Sequence, residues 1–379
     1  MNVKIKVARS FRLSTLLGWA LLASFVTVAS QPAWSQSWKK KWDRTVAAAN
    51  KEAKVVVWGP GGSLIRKAAS REFQKDFPGI KVEYSGGRGT SSATKLRAER
   101  NSGLYLVDVF INGPTTMNFR LKPYKALDPI GPTLILPEVT NVKNWAGGRL
   151  EYTDTGRTYN LAFFTQVSPQ LVYDSNKVKP KEIDTLAKLL DPKWKNKLTI
   201  NDPRVAGAGV PWFRRVWVEM GPKKATAYYK ALRAQAGALT RNTRRQVEWI
   251  AQGKYSILVA PSSSAFRQLK KRGVKFGVLA QFKDIPSHTG TSTGTVSLIN
   301  RAPHPNAAKV YINWLLSKRG QEVWQGVFSI PSRRVDVSKA NVPARSIPKP
   351  GTKYWPSHTE KNQTRSAEET KIIKKLFGR

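Results

Sequence analysis

No cysteine occurs in the 379 residues. That removes a disulfide framework, a thiolate nucleophile and a thiolate metal site together, so stability has to come from a large apolar core. Histidine is nearly as scarce: His288, His304 and His358 are the three present, and they stand at no metal-ligand spacing. Acidic residues number 24 against 65 lysines and arginines, and no two carboxylates are marked out for acid–base work. Gly87-x-Gly89-x-x-Ser92 lacks the third glycine of a dinucleotide loop, and no Gly-Lys-Ser/Thr completes a phosphate loop. An enzyme is therefore not expected, a secreted hydrolase being the weaker alternative. No cofactor is implied.

What the chain does have begins with its first 35 residues, which read as a signal peptide. Lys4, Lys6, Arg9 and Arg12 precede an apolar run from Leu13 to Ala29, and Ala33-Trp34-Ser35 forms a small-x-small cleavage site before Gln36. The run is shorter and more mixed than the roughly 20 apolar residues of a spanning helix. Export to the periplasm is the expectation, without lipidation, since that needs a cysteine. The net charge is +41; removing the four cations of this stretch, which has no acidic residue, leaves +37. Three readings compete for that charge: a solvated surface suited to acid surroundings, a face for anionic lipid or an acidic partner, and a nucleic-acid binder. Basic residues interleave with apolar ones along the whole chain instead of clustering, which favours the first. Specific nucleic-acid binding is not expected.

The remaining 340 or so residues are enough for two domains. Trp38, Trp42, Val46 and Ala49 recur at helical spacing. Lys54 to Trp58 is a continuous apolar strand, the kind buried on both faces. Gly59 to Ser63 ends it. A helix from Ser63 places Leu64, Ala68, Phe73 and Phe77 inward and stops at Phe77-Pro78-Gly79. Ile80, Val82 and Tyr84 alternate as a strand, Ser85 to Thr90 is a loop, and a helix capped by Thr90 or Ser91 runs to Asn101. Leu106 to Ile111 is a third buried strand. The β-α-β-α-β order predicts an open, mostly parallel sheet with right-handed crossovers, and such sheets bind ligands at the carboxyl ends of their strands. Leu171 to Tyr173 enters a second α/β lobe, with strands at Lys197 to Ile200 and Tyr255 to Val259 and helices at 211–220, 222–236 and 243–253. Thr295 to Ile299 returns to the first lobe, and the helix after His304-Pro305-Asn306 turns Ala307, Val310, Tyr311, Trp314 and Leu315 inward. The division expected is 1–35 signal peptide, 36–165 lobe one, 166–288 lobe two, 289–335 return to lobe one, and 336–379 a basic, weakly periodic segment.

Several segments resemble one family. Lys54 to Gly59 with the helix ending Phe77-Pro78-Gly79-Ile80-Lys81-Val82 is similar to the start of extracellular solute-binding proteins of bacterial ABC importers. Val172-Tyr173-Asp174-Ser175, Leu189-Leu190-Asp191-Pro192-Lys193-Trp194 and Asp202-Pro203-Arg204-Val205-Ala206-Gly207-Ala208-Gly209 resemble its middle, and Pro303 to Lys309 with Trp314-Leu315-Leu316-Ser317 its late helices. The subgroup is that of ferric-iron, phosphonate and thiamine binders. The resemblance implies a type II two-lobe α/β fold with two crossing strands as hinge. It also implies a monomer that closes on a small solute and docks on an ABC permease. In the iron binders, adjacent tyrosines follow the strand matching Tyr255 to Val259. Here Pro261-Ser262-Ser263-Ser264 stands there, and Tyr228-Tyr229 falls inside a helix, where neighbours diverge by about 100° and read as one core and one surface residue. A ferric ion with a synergistic anion is thus the alternative reading, and a small anionic solute the preferred one.

The candidate ligand residues are those of the strand-end loops. Arg88, Gly89, Thr90 and Ser91 offer backbone N–H groups, hydroxyls and a guanidinium before a helix, a set suited to an anion. Gly61 and Ser63 follow the first strand with the same logic. Asn112 either binds the solute or starts the Asn-Gly-Pro turn. Asp202, Arg204 and Gly207 face the cleft or merely turn the chain. Asn242 and Arg244 either reach the cleft or cap a helix, and Ser262 and Ser263 are strand-exit hydroxyls.

Overall fold

The computed structural model describes residues 33–205 and 207–378; the signal-peptide reading falls on residues almost all of which lie outside these. The chain enters through α1 (Ala33–Glu52), β1 (Lys54–Pro60), α2 (Ser63–Asp76), β2 (Lys81–Gly87), α3 (Gly89–Asn101) and β3 (Val109–Asn112), then the short turn α4 (Pro114–Thr116), β4 (Leu127–Asp128), α5 (Pro137–Thr140), β5 (Glu151–Tyr152) and β6 (Leu161–Ala162). Strand β7 (Gln166–Val167) leads out of this lobe. The second lobe holds β8 (Leu171–Asp174), β9 (Leu198–Ile200), α6 (Gly209–Gln235), β10 (Ala236–Leu239), α7 (Thr243–Ala251), β11 (Ile257–Val259), α8 (Ser263–Lys271) and β12 (Phe276–Leu279). Strand β13 (His288–Gly290) leads back to β14 (Thr295–Ile299), α9 (Pro305–Leu316) and α10 (Lys318–Phe328). The chain finishes with β15 (Trp355–Pro356), α11 (Glu360–Gln363) and α12 (Ala367–Phe377).

The first sheet runs β2-β1-β3-β14-β6-β5, with β4 paired to β14. Strands β1, β2 and β3 are parallel, and β14 lies antiparallel to β3. Both faces of the sheet are covered, which is why β1 needs no polar alternation. Val55 and Val57 enter the core shared with Ile65, Phe73, Tyr311 and Trp314. Trp58 enters the opposite one with Ala93, Leu96 and Phe110. The second sheet runs β10-β9-β11-β8-β12, again with a core on each face. Between the lobes, β7 pairs antiparallel with β13, and β15 adds a third strand parallel to β13.

Several details differ from the sequence reading. Strand β2 runs on to Gly87 and α3 is N-capped by Arg88, not by Thr90 or Ser91; β3 starts at Val109, with Leu106 exposed. In α2 the inward stripe is Ile65, Ala69 and Phe73, and Leu64 is 72% exposed; the i, i+4 spacing is one residue later than expected, in phase with the sheet beneath. Tyr228 and Tyr229 are both buried in lobe two. The Tyr228 hydroxyl donates to the Leu186 carbonyl at 3.2 Å and that of Tyr229 to the Phe213 carbonyl, so a helix packed on two sides takes both rings. The kink at Gly221, φ 75°, joins the two expected helices into α6.

Candidate ligand-binding site

A cleft of about 640 Å³ opens between the lobes, lined by the carboxyl ends of the strands of both sheets and by the crossing strands. Three helices begin at it. Arg88, Gly89 and Thr90 bring the start of α3 to the cleft from lobe one; Ala208 and Pro211 bring α6, and Ser262 brings α8, from lobe two. None of the three has an acidic residue in its first turn or a cap bond from its own N-cap side chain, so each start carries partial positive charge at the cleft, although the first N–H of α6, on Gly209, is already taken by Asn201 Oδ1 at 3.1 Å. Close approach demands glycine at two of these starts. A Cβ on Gly89 would stand 2.6 Å from the Thr116 hydroxyl and 2.7 Å from Asn112 Oδ1, and one on Gly209 would stand 2.3 Å from the Asn201 carbonyl.

The charge of the lining is one-sided. Arg88, Arg241 and Arg244 line the cleft, and no Asp, Glu or Lys among the described residues does. The guanidinium groups of Arg88 and Arg241 form no hydrogen bond or ion pair with a described residue, whereas Arg244 Nε is 3.0 Å from Glu248. His288, on β13, is buried; burial pushes its imidazole well below its ordinary range, and the nearby Arg215 guanidinium adds to that. It is a neutral hydrogen-bonding group near neutral pH. Arg215 itself is buried next to the crossing strands, its Nη1 donating to the Pro286 carbonyl at 2.7 Å.

Of the residues proposed from sequence, Gly61, Arg88, Gly89, Thr90, Asn112, Gly207, Asn242, Arg244 and Ser262 lie on the lining. Two also serve the local roles weighed for them. Asn112 Oδ1 accepts from Gly113 N at 2.9 Å, and Asn242 caps α7 by accepting from Arg245 N at 3.2 Å. Ser262 shares a 2.9 Å hydrogen bond with Thr243. Ser63 and Ser91 are off the lining and exposed on their helices. Asp202 and Arg204 are off it too, because they engage each other: Arg204 Nη2 is 2.8 Å from Asp202 Oδ2 and its backbone N is 2.9 Å from Oδ1. That closed turn spends the Asp202 carboxylate on Arg204, although the charge of Arg241 at the cleft still acts on it. Ser263 opens α8; its side chain lies outside what is described.

Sequence reasoning missed Arg241, beside the chosen Asn242, and the hydroxyl run Thr291 to Thr293, although that Thr-Ser-Gly stretch was visible. It also missed Ser357, His358 and Gln363, for which no sequence signal exists. Gly290-Thr291-Ser292-Thr293-Gly294 has the spelling of a nucleophile elbow, and Ser292 has φ 52°. It joins strand β13 to strand β14 instead of turning from strand into helix, so it lacks the context that makes such a serine a nucleophile.

Beside the cleft, Glu151 gathers three partners: His358 Nε2 at 3.2 Å, Arg149 Nε at 3.0 Å and Arg333 Nη2 at 3.6 Å. Burial pushes the Glu151 carboxyl up, but the His358 hydrogen bond and the Arg333 charge outweigh it and hold the group at about 2, against an ordinary 4.5. A carboxylate held low adds stability that is complete above its ordinary 4.5 and lost as pH falls through about 2. The Tm gap between the wild type and Glu151→Gln is thus expected to be full above pH 4.5 and to close toward pH 2. A gap that stays constant over that window would show that the carboxylate charge is not what holds this corner.

Two α/β lobes of this strand order, joined by crossing strands and closing on a cleft at the strand ends, make the type II two-lobe fold of periplasmic binding proteins. The chain belongs to the family of bacterial extracellular solute-binding proteins, whose model matches residues 57–322. An uncharacterized Haemophilus influenzae protein is 22% identical over 280 residues, 73% of this chain and 76% of that one. Among solved structures, the periplasmic binding protein AfuA from Actinobacillus pleuropneumoniae, with exogenous fructose-6-phosphate bound, superposes with a TM-score of 0.64 at 17% identity, covering 85% of this chain and 97% of that one. Iron-bound HitA from Pseudomonas aeruginosa gives 0.63 at 17% identity, covering 86% and 99%. These are binding proteins and not enzymes. Members of the family take small molecules and serve ABC permeases.

Proposed function

We propose that the protein captures a small organic anion in its interlobe cleft and delivers it to an ABC permease from the periplasm, after removal of residues 1–35 as a signal peptide. The observation that carries this reading is the lining itself, with Arg88, Arg241 and Arg244, three helix starts of which those of α3 and α8 have no side-chain cap, and no acidic side chain among the described residues. A cation such as a polyamine would meet only repulsion there. A ferric ion would want phenolate or carboxylate oxygens, and among the described residues the cleft lining has no tyrosine, aspartate or glutamate, nor is there a group of three His, Asp or Glu fit to hold a metal. The AfuA structure, which holds a sugar phosphate, makes phosphate esters a natural first class to try. The lobes are taken as 36–165 with 289–335, and 166–288, and the working unit as a monomer.

The test is a thermal-shift panel on the mature chain with inorganic phosphate, phosphate esters, carboxylates, spermidine, thiamine and ferric citrate. A ligand at 100 times its Kd raises stability by about 2.7 kcal/mol, which gives a clear shift. Stabilisation by one or more anions and none by spermidine is expected. Stabilisation by cations alone, or a visible charge-transfer band with ferric ion, would overturn the reading.

A further inference from the structure

We propose that the C-terminal segment completes a second, uncharged subsite at the hinge side of the cleft, which takes the hydroxylated body of the solute while its anionic group sits at Arg88 and Arg241. The proposal rests on the anionic reading of the cleft. Its C-terminal residues, Ser357, His358 and Gln363, lie beyond the 57–322 stretch that defines the family match.

The route of the segment places it there. Strand β15 pairs with β13 so that His288 stands beside Trp355. Ser357 then donates from its backbone N and its Oγ to the Thr289 carbonyl, at 2.9 and 2.7 Å. Both ends are tied down. On lobe one, Glu360 accepts from Lys122 Nζ at 2.6 Å and from Thr155 N at 2.8 Å. On lobe two, Ile373 and Phe377 of α12 are buried in the main core. Held at both lobes, the stretch between presents Ser357, His358 and Gln363 to the cleft.

The polar atoms here are oriented and unspent. Gln363 Nε2 donates to the Ser357 carbonyl at 3.0 Å, which fixes the amide and leaves Oε1 buried without a partner. His358 Nε2 is held by Glu151 at 3.2 Å, leaving Nδ1 in the same condition. His288 Nδ1, Trp212 Nε1 and Thr293 Oγ1 are buried and unpartnered too, and all five residues line the cleft. Seventeen such atoms occur among the described residues, close to the few per hundred of native proteins, but five of them belong to residues of this one cleft, where a ligand's polar groups would meet them. Their chemistry says which part of a ligand. An indole N–H only donates, the Gln363 oxygen only accepts, and the Thr293 hydroxyl does both. Hydroxyl groups, which donate and accept, match that mixture; a second anionic group would not, because Gln363 Oε1 would face it.

The experiment is calorimetric titration of the full mature chain with a hexose 6-phosphate, a hexonate, inorganic phosphate, acetate and free hexose. The hexose 6-phosphate or the hexonate is expected to bind at least about tenfold tighter than the bare anion carrying the same charged group. Gln363→Leu, and separately His358→Phe, should each reduce that preference several-fold, with circular dichroism confirming the fold. Because His358 also braces Glu151, Gln363→Leu is the cleaner variant. Equal affinity for the sugar anion and the bare anion, or a preference untouched in both variants, would overturn the subsite. Free hexose separates the two readings: if it binds and no anion does, the anionic reading fails and the uncharged subsite stands, and if nothing binds, both fail.

Discussion

Arg88→Gln is expected to weaken binding of an anionic solute by about 10- to 100-fold, and the double variant with Arg241→Gln further still. Hydrogen bonds to charged groups contribute about 1.5–3 kcal/mol, and each 1.4 kcal/mol is about tenfold in affinity. Neither guanidinium has a hydrogen-bond partner of its own to give up, so a hydrogen bond to the solute is not offset by a broken one, although Arg241 also acts on the Asp202 carboxylate. Arg244 is different. Its Nε already meets Glu248 at 3.0 Å, and Arg244→Gln should cost less than either of the others. Titration at two salt concentrations checks the cause, since exposed charges are screened over about 10 Å at 0.1 M: the wild type should lose affinity with salt more steeply than the double variant. An Arg88→Gln protein that binds as the wild type does would place the anion elsewhere.

Phe377→Ala is expected to destabilise the protein by about 3–5 kcal/mol, the range for truncating a buried phenylalanine, measured as a lower urea midpoint with the slope unchanged. The ring is fully buried, 5.1 Å from that of Phe213 and close to Tyr229. The ion cluster on the same helix is a poorer source of stability. Glu369 Oε2 is 2.7 Å from Arg214 Nη1, with Arg365 at 3.3 Å. Even so, burial pushes its carboxyl above the ordinary range despite both arginines. Desolvation therefore outweighs the attraction, as is common for buried pairs, and the apolar contacts of Ile373 and Phe377 hold α12 in place. If Phe377→Ala were silent, the C-terminal helix would not be part of the lobe-two core.

The fold was legible wherever an element is decided by its own pattern. Lys54 to Trp58 is apolar without alternation, and a sheet covered on both faces is the solution for such a strand. Gly86 to Thr90 between a strand and a helix led to the α3 start, where Gly89 is the residue that fits against Thr116 and Asn112. Asp202 and Arg204 show the opposite case. As types they suit a binding wall equally well as a turn, and the bidentate pairing that decides between the two depends on local backbone geometry. Tyr228 and Tyr229 show another: helical phase separates neighbours by about 100°, but whether both sides of α6 are covered depends on what packs around it.

By itself the sequence determined the α/β class, the two lobes, the strand-end loops and the excess of positive charge, because these follow from local periodicity, turn chemistry and composition. Only the tertiary structure decided which charges face the cleft, and that the last residues belong to it. Ser357, His358 and Gln363 come to the site by pairing of β15 with β13 and by the anchoring of α12, which starts at Ala367, against α6, which starts at Gly209. No local pattern encodes a contact of that kind, since it depends on long-range packing.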